Sequence, residues 1–186
     1  VDLIFGFLLT SKNYDKVGKT TGGKNGFGSK LTNLFSTYFK VETVDHIRKL
    51  KYVQIYTNNM KNKNEPIITK SNTKPYTKIT WITDFNKFNI SQYNEDMINL
   101  MVRRLYDIAG ITNINVYYNK NKLNIKTFNK YIGLYLKDEY YITERIDSRW
   151  EIGLSVSNDK FESYSFVNGI YTSKGGKHVD VITKQI

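Results

Sequence analysis

The sequence predicts a mixed α/β chain, and three observations carry that reading. One long segment, Ser91 to Ala109, repeats its apolar residues at helical spacing. Three short runs rich in β-branched and aromatic residues, Lys40 to Thr43, Lys51 to Thr57 and Tyr76 to Thr83, read as strands. After Lys137 the pattern turns to strands again, over Tyr140 to Glu144, Trp150 to Ser157 and Tyr164 to Ile170.

In chain order, Leu3 to Leu9 is a short apolar element that meets a polar loop from Ser11 to Gly28. Leu31, Leu34 and Phe35 then recur with helical period, which predicts a helix over Ser29 to Phe39. Asn58 to Pro75 reads as a polar loop between the second and third strands. In the long helix, Ser91 or Asn94 can cap the start, Met97, Leu100, Met101, Leu105 and Ile108 form one apolar face, and Gly110 is a natural stop. Ile114 to Tyr118 and Lys122 to Ile125 alternate across Asn119-Lys120-Asn121, a hairpin signal. Phe128 to Leu136 is helical in period, and the Gly175-Gly176 pair precedes a last helix. A domain boundary is expected near Tyr140 to Asp147.

The 186 residues are 40% apolar, enough to bury a core. No run approaches the ~18 apolar residues that span a bilayer, and the apolar start lacks the basic flank of a signal peptide. Without cysteine there is neither a disulfide framework nor a thiolate metal site. The net charge of +11 and a pI near 9.6 invite a nucleic-acid reading. Heavy use of Lys, Asn, Tyr and Ile, as in an AT-rich genome, explains the same charge without one. The chain does not begin with Met and ends inside a helical pattern, so a longer protein is expected around it.

The chemistry concentrates between Thr21 and Ser36. Gly22, Gly23, Gly26 and Gly28 free the backbone to turn its N–H groups toward one point, and a helix follows with its own unpaired amides and positive dipole end. Lys30 adds a mobile ammonium. This is the chemistry of a polyphosphate cradle. It is not a Walker loop, because Ser29 separates Gly28 from Lys30. Nor is it a dinucleotide fingerprint, because Leu31 stands where the third glycine belongs.

Three ordered stretches carry a family resemblance: Leu8-Leu9-Thr10-Ser11-Lys12-Asn13-Tyr14-Asp15, the glycine run from Thr21 to Ser36, and Phe166 through Asn168-Gly169-Ile170 and Gly175-Gly176-Lys177-His178 to Asp180. Met101 to Gly110 and Arg149-Trp150-Glu151 add to it. Over nearly its whole length the chain resembles the ATPase region of eukaryotic-type DNA topoisomerase II, a type IIA enzyme of the GHKL superfamily.

The resemblance implies an α+β two-layer sandwich. Residues 1–142 would be the C-terminal portion of a GHKL ATPase domain with its ATP lid, and residues 143–186 the start of a transducer domain. It implies that Asn25, Gly26, Phe27, Gly28, Ser29 and Lys30 surround the triphosphate, together with Lys24. Ser11 and Asn13 would touch ribose and phosphates. Several charge-assisted backbone hydrogen bonds, at ~1.5–3 kcal/mol each, would outweigh one lysine. The chain departs from the family pattern at Lys12 (commonly serine), Lys24 (arginine), Phe27 (tyrosine) and Ser29 (alanine). Lys24 keeps a charge but loses the bidentate fork.

The family's general base, Mg²⁺ ligand and distal lysine have no counterpart in these residues, so no catalytic residue and no metal ligand is assigned. None of Glu42, Glu65, Glu95, Glu139, Glu144, Glu151 or Glu162 occupies the base's motif. Arg103 and Arg104 read as a solvated helix face. His46 and His178 are too isolated for a metal site, and His178 reads as a positioning residue of the Gly175 to Asp180 motif. The implied cofactors are ATP and Mg²⁺. The implied partners are double-stranded DNA and a second copy of the enzyme, with no membrane, in a nucleus or at a viral replication site. A GHKL ATPase of another line and a non-catalytic basic nucleic-acid-binding domain are the alternatives.

Overall fold

The computed structural model describes residues 1–11, 17–18, 20–23, 25–136, 139–157 and 160–186. They pack as two compact units. The first holds residues 1–18 and 23–92, the second residues 19–22 and 93–186.

In the first unit, helices α1 (Asp2–Gly6) and α2 (Gly28–Leu34) accompany a five-stranded antiparallel sheet. Its strands are β1 (Ser36–Asp45), β2 (Leu50–Thr57), β3 (Asn62–Lys63), β4 (Ile67–Lys70) and β5 (Thr77–Thr83). The order is β3-β2-β1-β5, with β4 also paired to β2. Strand β1 is paired along both edges, Val41 standing opposite Gln54 on β2 and Ile79 on β5. Phe39 and Val41 share a face by the two-residue period and bury against Tyr56, with Phe5, Met60 and Ile79 around them. On the opposite face Glu42 lies 3.1 Å from Lys40 and 3.3 Å from Lys51. Their hydrogen bonds, Lys40's first, hold its carboxyl below the usual range against the opposing effect of burial.

The expected helix over Ser29 to Phe39 is shorter than its period suggests. The helix stops at Leu34, where the Ser36 hydroxyl caps back onto the Thr32 carbonyl at 2.6 Å. The following Thr37-Tyr38-Phe39 run is β-branched and aromatic, and a central strand with partners on both sides claims it. The expected loop from Asn58 to Pro75 contains β3 and β4, entered through a left-handed turn at Asn58, Asn59 and Met60.

The second unit holds α3 (Glu95–Ile111), the ribbon β6 (Tyr117–Tyr118) and β7 (Asn121–Lys122), and α4 (Phe128–Leu136). Two further antiparallel pairs follow: β8 (Tyr141–Arg145) with β9 (Glu151–Ser155), and β10 (Phe166–Val167) with β11 (Ile170–Tyr171). Helix α5 (Lys177–Thr183) ends the order. Asn94 caps α3 by accepting the Met97 amide at 2.9 Å.

One expectation for α3 needs correction. Gly110 does not stop the helix, which runs on to Ile111. A Cβ there would stand 2.5 Å from that of Tyr131, so the glycine serves close packing of α4 on α3. The apolar face and the buried positions of α3 do not coincide. Leu100 and Met101 are exposed, while Asp107, Ala109 and Gly110 are buried. The core consists of Ala109, Ile125 and Tyr131, with Tyr106, Val116, Leu123, Phe128 and Phe166 packed on it. The strand read over Tyr164 to Ile170 is instead a hairpin, because Asn168 and Gly169 both take positive φ, as a two-residue turn requires.

Candidate functional site

The glycine loop belongs to the first unit from Gly23 onward. Gly23 and Gly26 adopt left-handed backbone, at φ 82° and 67°. At Gly26 the absent side chain matters twice over. A Cβ would stand 2.5 Å from the Thr10 carbonyl oxygen, 3.1 Å from Lys30 Nζ and 3.4 Å from Ser11 Cβ. The loop, the end of the Ser11 segment and the lysine therefore meet around one point.

Helix α2 is fastened beneath the loop by three side chains, each reaching a backbone carbonyl. Lys30 Nζ donates to Thr10 at 2.9 Å, Asn33 Nδ2 to Phe5 at 3.0 Å and Ser29 Oγ to Ile4 at 3.4 Å. Lys30 is 1% exposed, so it is not the mobile ammonium that the sequence suggests. The helix turn carries its stem inward, and one of its three N–H donors goes to Thr10.

The start of α2 is open. Phe27, its N-cap residue, provides no side-chain cap, and its carbonyl accepts the Leu31 amide at 2.8 Å. A Cβ on Gly28 would meet nothing within 4 Å. A helix start without a side-chain cap from its N-cap residue is the kind of place where an oxyanion can take the first-turn amides. Among the expected site residues, Ser11, Gly26 and Lys30 come together, Ser29 turns toward α1, and Asn25, Phe27 and Gly28 form the exposed rim. Asn13 and Lys24 lie outside the described residues. Sequence reasoning did not find Thr10 or Asn33. Asn33 is fully buried inside a helix with its Oδ1 lacking a hydrogen-bond partner, and an asparagine at that helical position was the available signal.

In the second unit Arg103 and Arg104 are not a solvated face. The Arg103 guanidinium lies over the rings of Tyr164 and Tyr171, 5.6 and 5.1 Å from their centroids, and Arg104 donates to the Gly169 carbonyl. His178 Nε2 sits 3.0 Å from the Thr172 hydroxyl, tying α5 to the end of the hairpin. Among the described residues no group of three or more His, Asp or Glu side chains could hold a metal ion.

No protein-family model matches the chain. Individual proteins do. The chain is 46% identical over 198 residues to DNA topoisomerase 2 of Arabidopsis thaliana, with all of this chain and 13% of that protein covered. It is 45% identical to human DNA topoisomerase 2-alpha, covering 99% of this chain and 13% of that one. With the DNA topoisomerase 2 of Acanthamoeba polyphaga mimivirus the figures are 44%, 99% and 15%. The crystal structure of the ATPase region of Saccharomyces cerevisiae topoisomerase II superimposes with a TM-score of 0.93 at 46% identity, over 99% of this chain and 50% of that one. The chain belongs to the DNA topoisomerase II family. It corresponds to part of that family's ATPase region, and the mixed helix–sheet fold expected from the resemblance is the fold observed. It spans about an eighth of the length of the curated relatives and half of the solved yeast region.

Proposed function

We propose that this chain forms the phosphate-holding part of the ATP gate of a type IIA DNA topoisomerase. In that reading Gly26, Phe27, Gly28 and Ser29 present backbone amides to the triphosphate. Lys30 neutralises phosphate charge from below, Asn25 and Lys24 border the phosphates, and Ser11 and Asn13 approach the ribose side. ATP with Mg²⁺ is the cofactor, and the metal ligand and the water-activating base are supplied by other residues of the enzyme. The intact enzyme acts as a homodimer that passes one DNA duplex through a transient break in another. Residues 1–142 belong to its ATPase domain and 143–186 to its transducer. It works in a nucleus or, for a virus, at the replication site or in the virion. No described helix is long and apolar enough to cross a membrane.

The supporting observation is the meeting of Gly26, Thr10 and the buried Lys30 ammonium beneath an uncapped helix start. The experiment follows from the same atoms. In the intact enzyme, Gly26→Ala presses a methyl group onto the Thr10 carbonyl and the Lys30 Nζ, and Lys30→Met removes the charge. Each should weaken binding of a non-hydrolysable ATP analogue by about 10-fold or more, as expected where several charge-assisted bonds act together. Gly28→Ala has open space around it and should cost far less. Unchanged affinity in both Gly26→Ala and Lys30→Met overturns the assignment.

A further inference from the structure

Within the first unit, Thr10 makes two connections through two different atoms. Its hydroxyl lies 2.8 Å from the Leu3 carbonyl oxygen and 3.0 Å from that of Phe7, and its one proton serves both. Its own carbonyl accepts from Lys30 Nζ at 2.9 Å, and the same oxygen stands 2.5 Å from where a Cβ on Gly26 would be. The preceding residue, Leu9, is held in left-handed backbone at φ 59°, which a bulky side chain adopts only under constraint. The chain turns sharply there, and the hydroxyl contact with α1 closes the turn.

Helix α1 is a firm base for that contact. A helix end leaves its last carbonyls without intrahelical partners, and here side chains reach them. Thr10 donates to Leu3, Ser29 to Ile4 at 3.4 Å and Asn33 to Phe5 at 3.0 Å. Elsewhere on α1 the contacts are with the sheet. Asp2 accepts from Tyr56 at 2.8 Å and from Lys63 at 2.7 Å. A Cβ on Gly6 would stand 2.6 Å from Asp2 Oδ1 and 3.2 Å from the Tyr56 ring. Position thus passes by direct contact from the sheet to α1 and from α1 to the Thr10 hydroxyl. The Thr10 carbonyl hands it on to a lysine that is 1% exposed.

We propose that Thr10 is a positioning residue for the nucleotide site. Its hydroxyl fixes its carbonyl against α1, and the carbonyl seats the Lys30 ammonium beside Gly26. This role rests on the reading of the loop as a nucleotide site, whereas the seating of Lys30 does not.

The test uses the intact enzyme with Thr10→Val, which keeps the shape and removes the hydroxyl, and Thr10→Ser, which keeps the hydroxyl. Thr10→Val should weaken binding of a non-hydrolysable ATP analogue with Mg²⁺ about 3- to 10-fold, and Thr10→Ser should stay within about 2-fold of the parent. Added to Lys30→Met, Thr10→Val should cost nothing further, because the hydroxyl acts through the lysine. A second arm omits nucleotide. Labelling with a limiting amine-reactive reagent, followed by mass spectrometry, compares Lys30 with the partly exposed Lys51 of the same molecule. Thr10→Val should raise Lys30 labelling about 3-fold or more as the seat opens, with β1 amides still protected from exchange, and Thr10→Ser should not. Thr10→Ala carries the same expectations should Thr10→Val not fold. Binding as weak in Thr10→Ser as in Thr10→Val, additive losses with Lys30→Met, or unchanged Lys30 labelling in Thr10→Val overturns the proposal. If the unsubstituted enzyme binds no analogue, the nucleotide reading fails and the labelling alone decides whether Thr10 seats Lys30.

Discussion

Each unit of this chain contains a buried tyrosine whose hydroxyl donates to an aspartate, and the two pairs are built differently. In the first, Tyr56 reaches Asp2 at 2.8 Å across 54 residues of sequence. In the second, Tyr131 reaches Asp107 at 2.7 Å between neighbouring helices. Both tyrosines are 1% exposed. Asp2 is also bonded to Lys63 at 2.7 Å and keeps about a third of its side chain in solvent. Asp107 is 3% exposed, and its nearest cation, Arg104, is 3.6 Å away. The first pair is a peripheral clasp on a sheet that already has a ladder, whereas the second is the centre of its unit.

Truncation should expose that contrast most strongly. Tyr56→Ala and Tyr131→Ala each remove a fully buried aromatic and should cost about 3–5 kcal/mol in denaturant unfolding. Their local consequences should differ. Tyr131 packs against Phe128, Tyr135 and Phe166, so its loss should free the β10–β11 hairpin to exchange. Loss of Tyr56 leaves β1 paired on both edges, and β1 amides should stay protected. Equal loss of protection in β1 and in the hairpin would abolish the distinction.

The sequence makes the first unit far more legible than the second, for a physical reason. Period-2 patterning marked the cores of β1, β2 and β5 because one face of each is apolar and paired, and the run of glycines marked the loop because left-handed backbone and close approach select glycine. In α3 the apolar period does not mark what is buried. Its apolar stripe at Leu100 and Met101 is exposed, while the buried face carries Asp107, Ala109 and Gly110. A carboxylate satisfied by a tyrosine and a glycine matched to an aromatic ring look polar and helix-breaking in isolation. Their partner, Tyr131, lies 24 residues from Asp107 and gives them their meaning, and no local pattern records that. The same holds for Lys30, whose burial under Gly26 depends on the Thr10 carbonyl.

Deleting only the hydroxyl sharpens the comparison. Tyr131→Phe leaves an almost fully buried carboxylate short of a donor and should cost about 2 kcal/mol, within the usual range for an unsatisfied buried group. Tyr56→Phe should cost about 1 kcal/mol or less, because Lys63 and water still serve Asp2. Urea titration of the two variants against the parent measures the difference, and a larger loss at Tyr56 would reverse the assignment of centre and clasp.

The smallest effect is in pH dependence, where the units should diverge on the acid side only. Burial first, then hydrogen bonding, pushes the hydroxyls of both Tyr56 and Tyr131 well above the ordinary tyrosine value. Each keeps its proton longer folded than unfolded. Their contribution is complete below about pH 10 and falls as pH rises beyond it, in both units alike. Acid acts in the other direction. At Asp2 burial alone would raise the carboxyl, but the bonds from Lys63 and Tyr56 outweigh it and leave it below its ordinary value. In the same unit, the Lys40 hydrogen bond foremost lowers Glu42 and the Arg48 amide foremost lowers Asp45, whereas the second unit has Asp147, lowered first by the Arg149 amide. A lowered carboxyl stabilises above its unfolded value and ceases to do so as pH falls through its folded one. Between about pH 5 and pH 2, exchange should therefore rise earlier in β1 and β2 than in α3 and α4. Asp2→Asn, which has no proton to gain, should flatten that early rise in the first unit and leave the second unit's profile where it was.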